Sequence, residues 1–430
     1  MGSRTASSES DSGSLRWKGE RTFRQSRLRS GVCLLPLLSL LWIGCGDDDD
    51  PPTDPGGDPD PVELPDLVAE EVATFQVVDL EVRVDRDGQL TEGKRIDNEA
   101  YAIFISSLWI GGMVAGEPHA NIAWDGGSPW SNFSSLVDGE PIGPYIVTSD
   151  HLANEEIEWP IAHGYPTNDD GEPVVYGDSM VWSALRTATD RQLNGPTSSP
   201  MPGLEIGMSV FGVADEDLDN VLFLRYDIHN GSDQIWDDVY VGLYSDSDLS
   251  FIGPPGGNRT MYIGDQGITV TYAGTLPMNQ PQWMSAFAFL TTPTEDAPQH
   301  RVTSHRLMVK NAEDLYGETN FTTPEQVLWA MQGLTNLGGP MIDPSSDAET
   351  LFAVDGDPST GAGWVDDPAR DVRGLMSSGP FTIEADGTET VFAIWLLAEG
   401  DDFAGARAAV IGSVIRARRE AYRLVVGRTE

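Results

Sequence analysis

The thiol of Cys45 is the side chain whose sequence neighbours most clearly specify a chemistry. Arg16, Lys18, Arg21, Arg24, Arg27 and Arg29 precede an apolar stretch from Val32 to Ile43, interrupted only by Cys33, Pro36 and Ser39. Gly44 then places a small residue directly before the cysteine. A basic segment held on the cytoplasmic side, a short apolar segment and a small residue before cysteine make up a lipoprotein signal peptide. The expected chemistry is cleavage after Gly44 and lipid attachment to Cys45, which becomes the acylated first residue. As a helix the apolar stretch covers only ~18 Å of a ~30 Å hydrocarbon layer, so a permanent span is the weaker reading. Trp42 departs from the leucine usual three residues before such a cysteine.

Other residue types with chemical potential are present without a motif around them. Glu155, Glu156 and Glu158 beside Trp159 are a place to look for the carboxylate pair of a glycoside hydrolase, which needs two carboxyl groups ~5–10 Å apart. Among 68 acidic residues, such proximity arises by chance. His300 and His305 are the closest histidine pair, but they lack the spacing and helical setting of a zinc motif. Trp124 and Trp130 lie in Gly/Ser/Pro-rich sequence that could expose an aromatic platform for stacking a glycan, whereas Trp109, Trp182 and Trp395 lie in apolar strands and read as core. Asp85-Arg86-Asp87-Gly88 and Asn168-Asp169-Asp170-Gly171 echo fragments of a calcium loop without its spacing, and read as glycine turns. Gly361-Ala362-Gly363 reads as a turn as well, and no nucleophile elbow, P-loop or dinucleotide fingerprint occurs.

The segments that must position these groups follow from composition and periodicity. The leader, residues 1–44, takes seven of the 26 basic and three of the 68 acidic residues with it, leaving a net charge of −46. Such a surface repels nucleic acid and anionic lipid headgroups. Of the lysines only Lys94 and Lys310 remain. With Cys33 removed and Cys45 lipidated no disulfide is left, so a large core must hold the fold. Residues 45–66, rich in Asp, Pro and Gly, form an acidic, disordered tether that reaches roughly 65 Å when extended.

From residue 67 to 430 the pattern is that of a β-sandwich body, either one sandwich or two packed together. Val78, Leu80, Val82 and Val84 alternate with Asp79, Glu81 and Arg83. Leu204 to Val210, Leu222 to Ile228 and Val239 to Leu243 repeat this strand period. Phe381–Ala385 and Thr388–Ala398 flank Asp386-Gly387, a two-residue hairpin signal, and the second arm is apolar on both faces from Val391 to Leu397, as a central strand would be. Thr323-Pro324-Glu325-Gln326 opens a short internal helix leading into Val327, Leu328 and Met331. Asp402 caps a C-terminal helix, 402–422, with Phe403, Val410, Ile411 and Val414 on its apolar stripe. The fold class is therefore mainly β: a large antiparallel β-sandwich with one short internal helix and a C-terminal helix.

Several stretches carry a family resemblance. They are Leu108-Trp109-Ile110-Gly111-Gly112, Gly177-Asp178 with Val181-Trp182, Tyr240 to Leu249, Gly356-Asp357-Pro358, Gly363-Trp364-Val365-Asp366 and Ser377-Ser378-Gly379-Pro380-Phe381. In this order, across about residues 100–400, the chain resembles a large family of exported bacterial surface β-proteins of uncharacterised function. Its members often carry a C-terminal sorting domain or fibronectin type III repeats; here lipid takes the place of that anchor. The resemblance implies an oxygen-rich calcium site, with Asp246, Asp248 and Asp265 at the matching positions, although the intervening acids are replaced by Gly253 to Gly257 and Arg259 to Met261.

Together these features imply a lipid-anchored envelope protein at the outer membrane or cell surface, with a non-catalytic structural, adhesive or ligand-binding role. Glycans or envelope proteins are the expected partners, and nucleic acid is not. A surface polysaccharide hydrolase or lyase, and a calcium-dependent glycan-binding module, are the alternatives.

Overall fold

Two-residue periodicity builds the strands. In β1 (Val72–Val77), Ala73, Phe75 and Val77 are buried while Val72, Thr74 and Gln76 face solvent. In β2 (Leu80–Asp85), Leu80, Val82 and Val84 are buried in the same manner. The computed structural model describes residues 65–77, 79–95, 98–124, 131–213, 215–249, 257–294, 302–310 and 321–426. Val78, expected to belong to this alternation, lies outside them.

The chain continues through β3 (Leu90–Arg95), β4 (Asn98–Val114) and β5 (Glu117–Asn121). Four short strands follow: β6 (Phe133–Ser134), β7 (Leu136–Val137), β8 (Glu140–Pro141) and β9 (Tyr145–Thr148). The long ones are β10 (Ser179–Thr187), β11 (Leu204–Gly212), β12 (Val221–Asn230) and β13 (Trp236–Asp246). Next come β14 (Asn258–Ile263), β15 (Ile268–Ala273), β16 (Gln282–Thr291) and β17 (Ser304–Val309). Helix α1 (Pro324–Met331), strands β18 (Met341–Asp343), β19 (Ala348–Thr350), β20 (Val372–Ile383) and β21 (Thr388–Gly400), and helix α2 (Phe403–Val426) complete the body.

Two antiparallel sheets carry the fold. One has eight strands in the order β1-β2-β3-β4-β13-β20-β17, with β5 paired to β4. The other has nine, in the order β14-β15-β16-β21-β12-β11-β10-β6, with β9 paired to β10. Their facing sides share one core, in which Leu108, Ile110, Val241 and Met376 of the first sheet meet Ile206, Leu224 and Trp395 of the second.

The outer faces are covered by the helices, giving four layers. On α2, Phe403, Ala406, Val410, Val414, Ala417 and Ala421 form a stripe at helical spacing that packs on Phe223, Phe392, Ile394 and Leu396 of the nine-stranded sheet. Asp402 caps α2, its carboxylate accepting from Gly405 N at 2.7 Å. On the other side, Val327, Leu328 and Met331 of α1 cover Trp109, Tyr244 and Leu375 of the eight-stranded sheet. Thr323 caps α1 by accepting from Gln326 N, and Pro324 stands at its start, as the sequence suggests. This layering explains why β21 is apolar on both faces. Val391, Ala393, Trp395 and Leu397 enter the core between the sheets. Phe392, Ile394, Leu396 and Ala398 lie under α2.

One expectation is corrected. The arms around Asp386-Gly387 do not pair with each other: β20 belongs to the eight-stranded sheet and β21 to the nine-stranded one. The turn is a crossover between layers, with Asp386 at φ 60°. Asn230, fully buried, holds it in place. Its backbone exchanges hydrogen bonds with Asp386 N and Gly387 O, both 2.9 Å, and its amide donates to Ile383 O and Glu384 O.

The edges of the two sheets formed by β17 and β14 are joined by the segment from Leu351 to Val354. His305 N donates to Leu351 O (2.9 Å), Ala353 N donates to His305 O (2.8 Å), and Tyr262 N donates to Val354 O (2.9 Å). Unpaired strand edges are thereby occupied. The His305 ring is fully buried inside this seam, between Ala353 O and Thr269 Oγ1, each 2.9 Å away, and stacks on Tyr262 at 5.0 Å.

Candidate functional site

The aspartates suggested as calcium ligands are not brought together. Asp246, at the end of β13, is buried, and its carboxylate lies 2.5 Å from the buried Arg373 guanidinium on β20. Asp248 accepts from Asn258 Nδ2 at 2.9 Å. Asp265 stands in the turn beyond the far end of β14, whose extended chain from Asn258 to Ile263 spans ~17 Å. Among the described residues no group of three His, Cys, Asp or Glu is arranged to hold a metal ion.

Trp124 is not an exposed platform. It is only 4% accessible and packs on Trp109 (5.9 Å) and Phe321 (5.6 Å) beneath α1. The neighbouring Ala123 carbonyl accepts from Trp109 Nε1 and Ser107 Oγ, which draws this segment onto the sheet. Trp130, Cys45 and His300 lie outside the described residues. Trp109, Trp182 and Trp395 are buried as expected. Glu155, Glu156 and Glu158 face solvent, and Trp159 packs on Tyr165 at 4.8 Å.

Three surface clefts differ in the groups that line them. The first, about 320 Å³, holds Glu71, Asp85, Asp87, Asp190 and Arg191. Asp85 accepts from Asp87 N (3.0 Å) and Gln89 N (2.9 Å), and burial pushes its carboxyl up to about 7. A shifted carboxyl in a cleft is a functional signal only when it is not serving structure. Here it ties the β2–β3 turn. Arg191 clasps Asp87 through two bonds, 2.7 and 2.9 Å, and also pairs with Asp190. The second cleft, about 300 Å³, holds Asp265, Asp355, Asp357 and Arg407. Asp357 accepts from Ser359 N (2.9 Å) and Ser359 Oγ (2.6 Å), which hold its carboxyl below the usual range. Asp355 is pushed up by burial and by Asp343. Asp357 is thereby tied to its own loop, whereas the Asp355 carboxylate and Arg407 make no hydrogen bond or ion pair among the described residues.

The third cleft adds a half-buried tryptophan to its charged groups. It lies between the β4–β5 turn and α1, encloses about 420 Å³ and is lined by Met113, Gly116, Glu117, Pro118, Glu325, Leu328, Trp329 and Gln332. Ala115 (φ 53°) and Gly116 (φ 85°) make the tight turn that sends β5 back along β4. Glu325, Trp329 and Gln332 follow one another at helical spacings of four and three, so they share the α1 face opposite to the buried Val327 and Met331. Trp329 is half-buried and held from one side: a Cβ on Gly338 (φ 74°) would come within 2.8 Å of its Cε2. Among the described residues the Glu117 and Glu325 carboxylates make no hydrogen bond or ion pair. A fixed aromatic ring with apolar neighbours and a few unspent polar groups is the composition of a ligand pocket.

No motif along the chain marks this cleft as a site. The signal for half of it was present, in the spacing of Glu325, Trp329 and Gln332 along α1. The contribution of Glu117 depends on how the β4–β5 hairpin is placed, which no local pattern conveys. In comparisons with known proteins, the chain matches no family model and no curated protein.

Proposed function

We propose that the chain is a lipid-anchored cell-envelope protein whose sandwich body has a non-catalytic, ligand-binding role. The single observation that carries the binding reading is the cleft at Trp329, where the exposed carboxylates of Glu117 and Glu325 have no partner among the described residues. Its walls come from a hairpin and a helix packed on the core, so the geometry is set before a ligand arrives. The anchoring reading rests on the basic–apolar–Gly44–Cys45 arrangement and on the acidic tether, which keeps a negatively charged body clear of anionic headgroups. The stretches that resemble exported bacterial surface β-proteins fit that compartment. Intact mass spectrometry of the protein recovered from membranes tests the anchor. A chain beginning at Cys45 and carrying diacylglycerol is expected, and a chain that retains Met1 overturns it.

A second reading, a surface polysaccharide hydrolase, is favoured by the same cleft, because two carboxyl groups beside an aromatic ring can flank a sugar. Release of reducing ends from envelope polysaccharide, abolished in Glu325→Gln, would establish it in place of the binding role.

A further inference from the structure

We propose that the cleft between the β4–β5 turn and α1 takes an organic ammonium ion with an apolar body; this names the ligand class and rests on the binding role proposed above. Charge is the first argument. Among the described residues, the two carboxylates, one from the hairpin and one from the helix, have no lysine, arginine or histidine beside them in the lining. The chain as a whole carries a net charge of −42, so its field concentrates cations and repels anions at such a site.

The aromatic wall narrows the class further. The face of an indole ring attracts a cation, most strongly one poorly hydrated and carried on carbon, as an alkylammonium is. Met113, Pro118 and Leu328 add apolar surface to the same lining, which a bare metal ion would not use. A calcium ion wants six to eight oxygen ligands, and two carboxylates with the Gln332 amide fall short of that. A neutral sugar could stack on Trp329, but it would take the two carboxylates partly out of water without supplying a counter-charge. An ammonium ion satisfies ring, carboxylates and apolar wall together. Where the ligand carries N–H groups, the Gln332 side-chain oxygen is a further acceptor.

The test is calorimetric titration of the detergent-solubilised mature protein with choline and with cadaverine, a quaternary and a primary ammonium. Saturable binding of either is expected. It should weaken about tenfold in Trp329→Ala and by at least about tenfold in Glu117→Gln/Glu325→Gln, with the melting temperatures unchanged. Choline alone points to the quaternary class, and cadaverine alone to N–H-bearing amines accepted by Gln332. Binding that both variants leave intact means that the cations settle elsewhere on the acidic surface, and overturns the proposal. A neutral oligosaccharide whose binding is lost in Trp329→Ala but kept in Glu117→Gln/Glu325→Gln overturns the ammonium class while leaving the binding role standing. If choline, cadaverine and a neutral oligosaccharide panel all fail to bind, the binding role falls as well.

Discussion

Arg373→Met should lower the stability of the body by about 3–5 kcal/mol, because it strands the Asp246 carboxylate in a dry interior. Both side chains are only 1% accessible, and they meet at 2.5 Å. The register that pairs Ser245 with Gly374 places Asp246 opposite Arg373 across β13 and β20. The carboxylate of Asp371, just before β20, joins the guanidinium. Removing the cation leaves a desolvated negative charge with a large cost; removing both charges does not. The double variant Asp246→Leu/Arg373→Met should therefore recover most of the loss. Urea unfolding of the two variants beside the parent protein checks this. A single-variant loss below about 1 kcal/mol would contradict the role given to the pair. In the fold, the guanidinium stands where a calcium ion was expected, and an acid already neutralised in this way has little to offer a metal.

Acid should weaken the seam between the sheets at His305. Its Nδ1 faces the Ala353 carbonyl, which can only accept, so Nδ1 carries the proton and Nε2 accepts from Thr269 Oγ1. Burial without a counter-charge pushes the imidazole down to about 4. The unfolded chain binds a proton near its ordinary value of ~6.5. Between these two values the unfolded state holds more protons than the folded one, so stability falls as pH drops from about 6.5 to about 4. The total is ~3 kcal/mol, present in full at neutral pH and lost in acid. Asp85 acts in the opposite sense. With its carboxyl raised to about 7, its contribution is full below about 4 and lost as pH rises through 7. The His305 share is therefore read as a difference. In His305→Gln, the slope of stability between pH 7 and pH 4.5 from urea unfolding should be displaced from the parent's by ~3 kcal/mol, towards greater relative stability in acid. Equal slopes would show that the ring is not the titrating group.

Much of this architecture is legible along the chain, for definable reasons. Leu204 to Val210 and Leu222 to Ile228 alternate because one face of each strand meets the opposite sheet, and that asymmetry is written residue by residue. The two-sided apolarity of β21 likewise reports a strand with a sheet on one side and a helix on the other. The α1 start is local chemistry, a threonine cap followed by proline.

What was not legible depends on distant partners. Asp386-Gly387 makes the same turn whether its arms pair or part, and the difference lies in Asn230, more than 150 residues earlier. Asp246 looks like a ligand until Arg373 is placed against it. Trp124 sits among residues typical of exposed loops, yet the carbonyl beside it is claimed by Trp109 and Ser107. The cleft at Trp329 divides the same way: its helical half follows a local spacing, while Glu117 arrives from a hairpin some two hundred residues before it.

The tethered-body account is tested most directly by the distribution of Cys45→Ser between membrane and soluble fractions of the producing cells. The unaltered protein should remain with the membranes through high-salt washing and be released by detergent. The serine variant, with no thiol to acylate, should lose its lipid anchorage and its mature form. If the serine variant is matured and held at the membrane just as the parent is, lipid at Cys45 is not what places this body in the envelope.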